Sequence, residues 1–215
     1  MKKNLKSQIL ELGLYLIRHD VLNALTKVKG YGELMDVMEK EKWQKDWGEQ
    51  IRVSSAKIEK LIKLVGGYLR LEEEPKPIKV GKEFREAIQF YPELEKNIDF
   101  KNQCETLQVK AHPGVLSHVF YNMIHNSIIH AGPQLSEIKL FCRITEDKTE
   151  IIYKDNGIGI EPQNKEQIFE KGFSGGTSSG LGLYLTQKIC EAYKWNIKET
   201  GKYKEGVEFK ISTPK

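Results

Sequence analysis

Apolar residues recur at helical spacing over residues 5 to about 38, at Leu10, Leu14, Ile17, Val21, Ala24, Leu25, Val28 and Met35, with no proline to interrupt them. The charged run 39–46 breaks this stripe. Beyond it Trp47, Ile51, Ser54, Ile58, Leu61, Val65 and Tyr68 step by alternating fours and threes, which is a heptad seam. Two long helices joined by a short polar connection make an antiparallel hairpin. A hairpin cannot enclose a core alone, so pairing with a second copy into a dimeric four-helix bundle is expected.

Pro75 and Pro77 follow the acidic run 72–74 and cannot extend the second helix, so an extended linker is expected there. We place a domain boundary at this point, with a helical hairpin over 1–74 and a second domain over 75–215. The second domain alternates. Helical patterns cover 82–90, 113–130 and 181–193, and strand patterns cover 97–100, 107–111, 137–144, 150–154, 195–199 and 207–212. The fold class is α+β, with helices on one face of a mixed sheet.

Charge narrows the function classes. The chain has 215 residues and a net charge of +4, split evenly on either side of residue 75. No basic arm gathers phosphate-binding charge, which argues against nucleic acid. No apolar run approaches the ~18 residues that a bilayer span needs, so a cytoplasmic protein is expected. Cys104, Cys142 and Cys190 are far apart and lack ligand spacing, so reduced thiols are expected.

Three clusters carry candidate chemistry. Asp155-Asn156-Gly157-Ile158-Gly159-Ile160 follows a strand; its glycines let backbone approach a flat ligand, and Asp155 can accept a hydrogen bond from an exocyclic amine. By itself this is a turn as often as a site. Residues 174–183 (SGGTSSGLGL) open a helix whose first amides can hold phosphate oxygens, or else form a surface loop. Asn122 and Asn126 stand four apart on one helix face, where amide oxygens suit Mg²⁺ or simply meet solvent.

The order of these clusters resembles sensor histidine kinases. Ala111-His112-Pro113 through Leu116, Val119, Asn122, Asn126 and Ser127 resembles the N box, and residues 155–160 the G1 box. Residues 168–173 (IFEKGF) are similar to the F box, and Gly176 to Leu183 to the G2 box. Residues 18–26 (RHDVLNALT) resemble the H box around a phosphorylated histidine. The resemblance implies a dimerisation and phosphotransfer hairpin followed by a GHKL (Bergerat) ATP-binding domain that uses ATP and Mg²⁺. It further implies nucleotide contacts from Asn122, Asn126, His130, Asp155, Gly157, Gly159, Phe169, Lys171, Gly176, Thr177, Gly180, Leu181 and Gly182, with metal held by Asn126 and Asn122.

His19 is the expected acceptor. On a helical wheel it lies opposite the apolar stripe, so it should be exposed. Asp20 beside it is the candidate base, and Asn23 one turn on is where the family's H box orients water for a phosphatase activity. The resemblance implies a homodimer, a response regulator receiver domain as partner, and a sensor input supplied in trans or by a missing segment. The ATP-binding domain is expected to swing toward His19 on the 75–77 linker.

Three positions depart from the family pattern. Ala24 replaces the usual H-box proline, and His112 the usual aspartate before Pro113. Ile129 stands where the N box carries a phosphate-contacting Lys or Arg, and Lys171 is a candidate replacement. Two other readings remain open here: an ATP-gated GHKL clamp, disfavoured because Asn122 occupies the position of the hydrolytic glutamate, and a nucleotide-binding scaffold without efficient kinase activity.

Overall fold

The computed structural model describes residues 5–37, 44–71, 73–91, 97–174 and 180–214. Helix α1 (Leu5–Val37) and helix α2 (Gln44–Leu69) pack along one another. The second helix begins three residues earlier than the heptad pattern marks, so part of the charged run is helical.

Helix α1 buries two faces rather than one. Ile17 and Ala24 belong to the apolar stripe, whereas Ile9, Gly13 and Leu16 are buried on the neighbouring face, and Asp20 continues that line one turn on. At Gly13 the ring of Tyr68, near the end of α2, lies where a Cβ would stand. Any side chain here would displace the tyrosine.

The expected linker is a strand. Strand β1 (Lys76–Lys79) pairs antiparallel with β3 (Gln108–Ala111), Pro77 facing Lys110. Proline is tolerated because β1 has one neighbour in a two-stranded ribbon, so the missing N–H points away from the ladder. Helix α3 (Val80–Ile88) follows immediately and buries Val80, Phe84, Ala87 and Ile88 at helical spacing.

Strand β2 (Asp99–Asn102) starts the main sheet, whose order is β2-β4-β5-β7-β6, with β4 (Glu137–Ile144), β5 (Lys148–Asp155), β6 (Asn196–Glu199) and β7 (Glu208–Pro214). Only β2 and β4 run parallel. Register aligns Leu140, Tyr153 and Phe209 in one row and Cys142, Ile151, Ile211 and Ile197 in the next. Side chains two apart share a face, and this face meets the helices: Phe84 packs edge-on against Tyr153 and against Phe120, with ring centres 6.4 and 5.4 Å apart.

Helix α4 (Val115–His130) is buried almost all round from Val115 to Ile124, which is why its apolar pattern lacks a clear stripe. Its start has no cap of its own, since Gly114 is left-handed (φ 84°) and carries no side chain. The buried Glu83 of α3 replaces it: one carboxylate oxygen accepts from Gly114 N (3.0 Å), Ser117 N (3.2 Å) and Ser117 Oγ (2.7 Å). Burial raises the Glu83 pKa, and the Ser117 and Gly114 hydrogen bonds oppose that rise.

Helix α5 (Gly182–Ala192) completes the helical layer, and two short 3-10 turns, Pro162–Asn164 and Gln167–Phe169, connect β5 to it. Cys104 and Cys190 are buried free thiols and Cys142 is half-buried. Among the described residues no helix is long and apolar enough to cross a membrane.

Candidate functional site

Asp155 ends β5, and its buried carboxylate is fixed by three donors. Oδ1 accepts from Gly157 N (3.0 Å) and Val207 N (2.9 Å), and Oδ2 from Ser127 Oγ (2.6 Å), which in turn shares a 2.8 Å hydrogen bond with Tyr153 Oη. A carboxylate held from α4, β5 and the β7 approach can change neither rotamer nor direction cheaply. Two glycines make this possible. A Cβ on Gly157 would overlap Ala131, and one on Gly206 (φ 104°) would overlap the Asp155 carbonyl.

Asp155 lines a cavity of 350 Å³ together with Asn126, Ser127, His130, Gly159, Ile168, Gly180, Gly182 and Leu183. Its floor is apolar (Ile158, Ile160, Phe173, Val207, Phe209), its polar groups are few and convergent, and none of the described residues lining it is Lys or Arg. This is the composition of a pocket for a flat, partly apolar ring with a polar edge.

Gly180 (φ 62°) lies against the backbone of Gly172 and Phe173, and Gly182 opens α5, so backbone amides converge where the cavity ends. Gly176 and Thr177 lie outside the described residues.

The remaining candidates divide. Phe169 is buried against Phe209, 6.2 Å away, under the cavity rather than in its wall. Lys171 and Leu181 line a separate groove with Gln8, Leu12, Tyr15 and Tyr184. The replacement of the missing N-box cation by Lys171 therefore does not follow from its placement, because the loop carries it toward the start of α1. Gly157 shapes the turn through its N–H and its missing Cβ.

A second cavity, of 720 Å³, opens beside the first and shares Asn126, Gly180 and Gly182 with it. Its other wall is the hairpin: Leu16, His19, Asp20 and Asn23 of α1, and Lys57 of α2. No swing of the linker is needed to bring His19 to this cavity, because Tyr121 Oη on α4 donates to Asp20 Oδ2 at 2.8 Å.

The His19 side chain is 50% exposed and its Nδ1 lies 3.2 Å from Asp20 Oδ1. Asn23 Nδ2 lies 3.3 Å from the same nitrogen. The two contacts are exclusive: with Nδ1 protonated the imidazole donates to Asp20, and with Nδ1 bare it accepts from Asn23. In the first tautomer Nε2 is the unprotonated nitrogen.

Asn122 is buried, and its Nδ2 donates to the Gly182 carbonyl (3.3 Å), which turns its amide oxygen toward the shared wall. Amide oxygens of Asn122 and Asn126 are hard donors that suit Mg²⁺, an ion held by few protein groups and completed by water and phosphate.

Three further histidines on or beside α4 are held by partners of their own. His118 is fully buried, bonded through Nδ1 to Tyr68 Oη at 2.5 Å, with Nε2 unpartnered among the described residues. Burial lowers its pKa to about 4, slightly opposed by Asp20. His125 accepts or donates at Nδ1 with Tyr91 Oη (2.9 Å), and His112 bonds Tyr193 Oη and the Glu73 carbonyl.

The cluster of Tyr91, Tyr121, His125 and Lys57 around the second cavity was missed by sequence reasoning. Tyr121 and His125 stand four apart on the Asn helix, and that spacing was the available signal.

Known proteins are similar to this chain. Residues 111–215 match the family model described as histidine kinase-, DNA gyrase B-, and HSP90-like ATPase. The sensor protein BceS of Halalkalibacterium halodurans is 28% identical over 57% of this chain and 38% of its own. The catalytic domain of histidine kinase ThkA is 28% identical, covers 66% of this chain and 96% of that one, and superposes with a TM-score of 0.57. A structure of ThkA with the response regulator protein TrrA covers 94% of this chain and 60% of that one at 22% identity, with a TM-score of 0.54. The chain spans between 28% and 40% of the length of the curated relatives it matches. Residues 111–215 thus match the histidine kinase-, DNA gyrase B- and HSP90-like ATPase family model, in a chain that resembles the catalytic core of a sensor histidine kinase.

Proposed function

We propose that this chain is an ATP-dependent protein histidine kinase that phosphorylates itself on His19 and passes the phosphoryl group to an aspartate of a response regulator. One observation carries the reading. His19 and Asn126 line a single cavity that continues through Gly180 and Gly182 into the cavity built on Asp155. Adenine would sit over Asp155, with its exocyclic amine donating to the fixed carboxylate, and the phosphates would run along the start of α5 toward His19.

In the transfer, Asp20 accepts the Nδ1–H of His19 and so keeps Nε2 bare. Nε2 attacks the γ-phosphorus, the bond to the ADP oxygen breaks, and the Nδ1 proton passes toward Asp20 as positive charge develops on the ring. Asn122 and Asn126 would hold Mg²⁺, which when bound neutralises charge on the phosphates. Asn23 would orient a water, in line with a phosphatase activity toward the regulator.

The exposed apolar residues Leu22, Leu25 and Ile62 on the hairpin favour a homodimer built on a four-helix bundle, with 1–74 as the dimerisation and phosphotransfer unit and 75–215 as the ATP-binding domain. ThkA binds a response regulator, and a receiver domain is the corresponding partner here, in the cytoplasm. Incubation with Mg²⁺ and γ-labelled ATP tests the reading. Acid-labile, alkali-stable label should appear on the wild type and vanish in His19→Gln. Free phosphate without labelled protein would instead indicate a clamp ATPase, and nucleotide binding with neither product a scaffold.

A further inference from the structure

A transferring phosphoryl group needs positive charge around it, yet the adenine-side cavity has no Lys or Arg among its described lining residues, and Ile129 occupies the place of the N-box cation. The second cavity is lined by two lysines, Lys27 and Lys57. Lys27 is exposed. Lys57 is half-buried, its ammonium 5.1 Å from the centre of the Tyr91 ring and 5.6 Å from that of Tyr121. Two electron-rich faces thus hold the cation in place.

Tyr121 links this cation to the acceptor, because the same side chain donates its hydroxyl to Asp20. Tyr91 and Tyr121 are themselves stacked, 5.7 Å apart and 12° from parallel, and His125 stacks on Tyr121 at 5.9 Å.

We infer that Lys57 is a catalytic residue for the transfer, its ammonium contacting the γ-phosphoryl group between ATP and His19 in place of the cation missing at Ile129. The inference rests on the kinase reading above. Lys57 lines the His19 cavity and not the adenine-side one, so its charge is felt by the moving phosphoryl group more than by the bound nucleotide, and it raises the rate rather than the affinity.

The test uses the full chain and γ-labelled ATP with Mg²⁺. Lys57→Gln is expected to lower the rate of His19 labelling at saturating ATP about 10-fold or more, the scale of losing one charged donor in a transition state. Nucleotide affinity, measured with a non-hydrolysable analogue, should stay within about 2-fold, since uniform binding is not what is removed. Lys57→Arg, which keeps the charge and stacks on the same rings, should restore most of the rate. A wild type that labels on His19 alongside a Lys57→Gln that labels equally fast overturns the inference and spares the kinase reading. Equal slowing in Lys57→Gln and Lys57→Arg with weakened nucleotide binding also overturns it, since Lys57 would then be structural. If the wild type never labels, both fall.

Discussion

Acid should unlatch this protein at one buried ring. His118 is wholly enclosed, its Nδ1 bonded to Tyr68 at 2.5 Å and its Nε2 unpartnered among the described residues, so a second proton would create a buried cation with one ring nitrogen unsolvated. Burial holds its pKa at about 4, against 6.5 for a free histidine. The folded state therefore binds this proton later than the unfolded chain, and stability is full above pH 6.5 and falls as the pH drops toward 4. Linkage between those two values gives a loss of about 2 kcal/mol at pH 5 and about 3 kcal/mol at pH 4.

Urea unfolding of the wild type and of His118→Phe across pH 4 to 7.5 measures the loss as the difference between their pH slopes. Comparing slopes cancels the carboxylates that both proteins share, and also the fixed cost of leaving the Tyr68 hydroxyl without its partner. A difference that stays flat from pH 7 to 4, or an imidazole proton of His118 that titrates near pH 6.5 in NMR spectra, would refute the reasoning.

Three further outcomes follow from single contacts. Asp155→Asn keeps an oxygen for the Gly157 and Val207 amides but turns an NH₂ toward the adenine edge, so ATP affinity should fall by about 10-fold or more, for the loss of a charged hydrogen bond, in a calorimetric titration with an unchanged far-ultraviolet spectrum. Glu83→Ala leaves the two amides at the start of α4 without their acceptor and should cost about 2 to 4 kcal/mol in denaturant unfolding, whereas Glu83→Gln should retain most of that stability. Gly157→Ala forces a methyl into Ala131; nucleotide affinity should drop well before global stability does, as read by analogue binding and thermal unfolding together.

What was legible in the sequence was local. The glycines of 155–160 and 180–182, and the asparagines one turn apart, announce themselves because backbone approach and helical spacing are properties of neighbouring residues. The helical hairpin and the mixed sheet follow from periodicity for the same reason. Asp155 could be named, but not its clamp: Ser127 lies 28 residues before it and Val207 52 residues after, and only the packing of α4 on the sheet and the register of β7 beside β5 bring them together.

Strand β1 was hidden by its proline, which sequence rules read as a break and the edge of a ribbon accommodates. The second face of α1, on which Ile9 and Leu16 are buried, is apolar in sequence too, but a lone helical wheel cannot distinguish a dimer core from the chain's own ATP-binding half. The ring cluster around Lys57 depends on α2, α4 and the end of α3 meeting, which no single segment encodes.

Tyr68 touches three elements at once: it grows from α2, its ring fills the notch at Gly13 of α1, and its hydroxyl ends on His118 of α4. A notch without a side chain leaves no slack, so a shift of α1 at Gly13 meets a stiff aromatic lever. The far tip of that lever is fastened one turn before Asn122. The phenol thus ties the first helix to the one that carries the asparagines, four and eight residues along α4 from the fastening point.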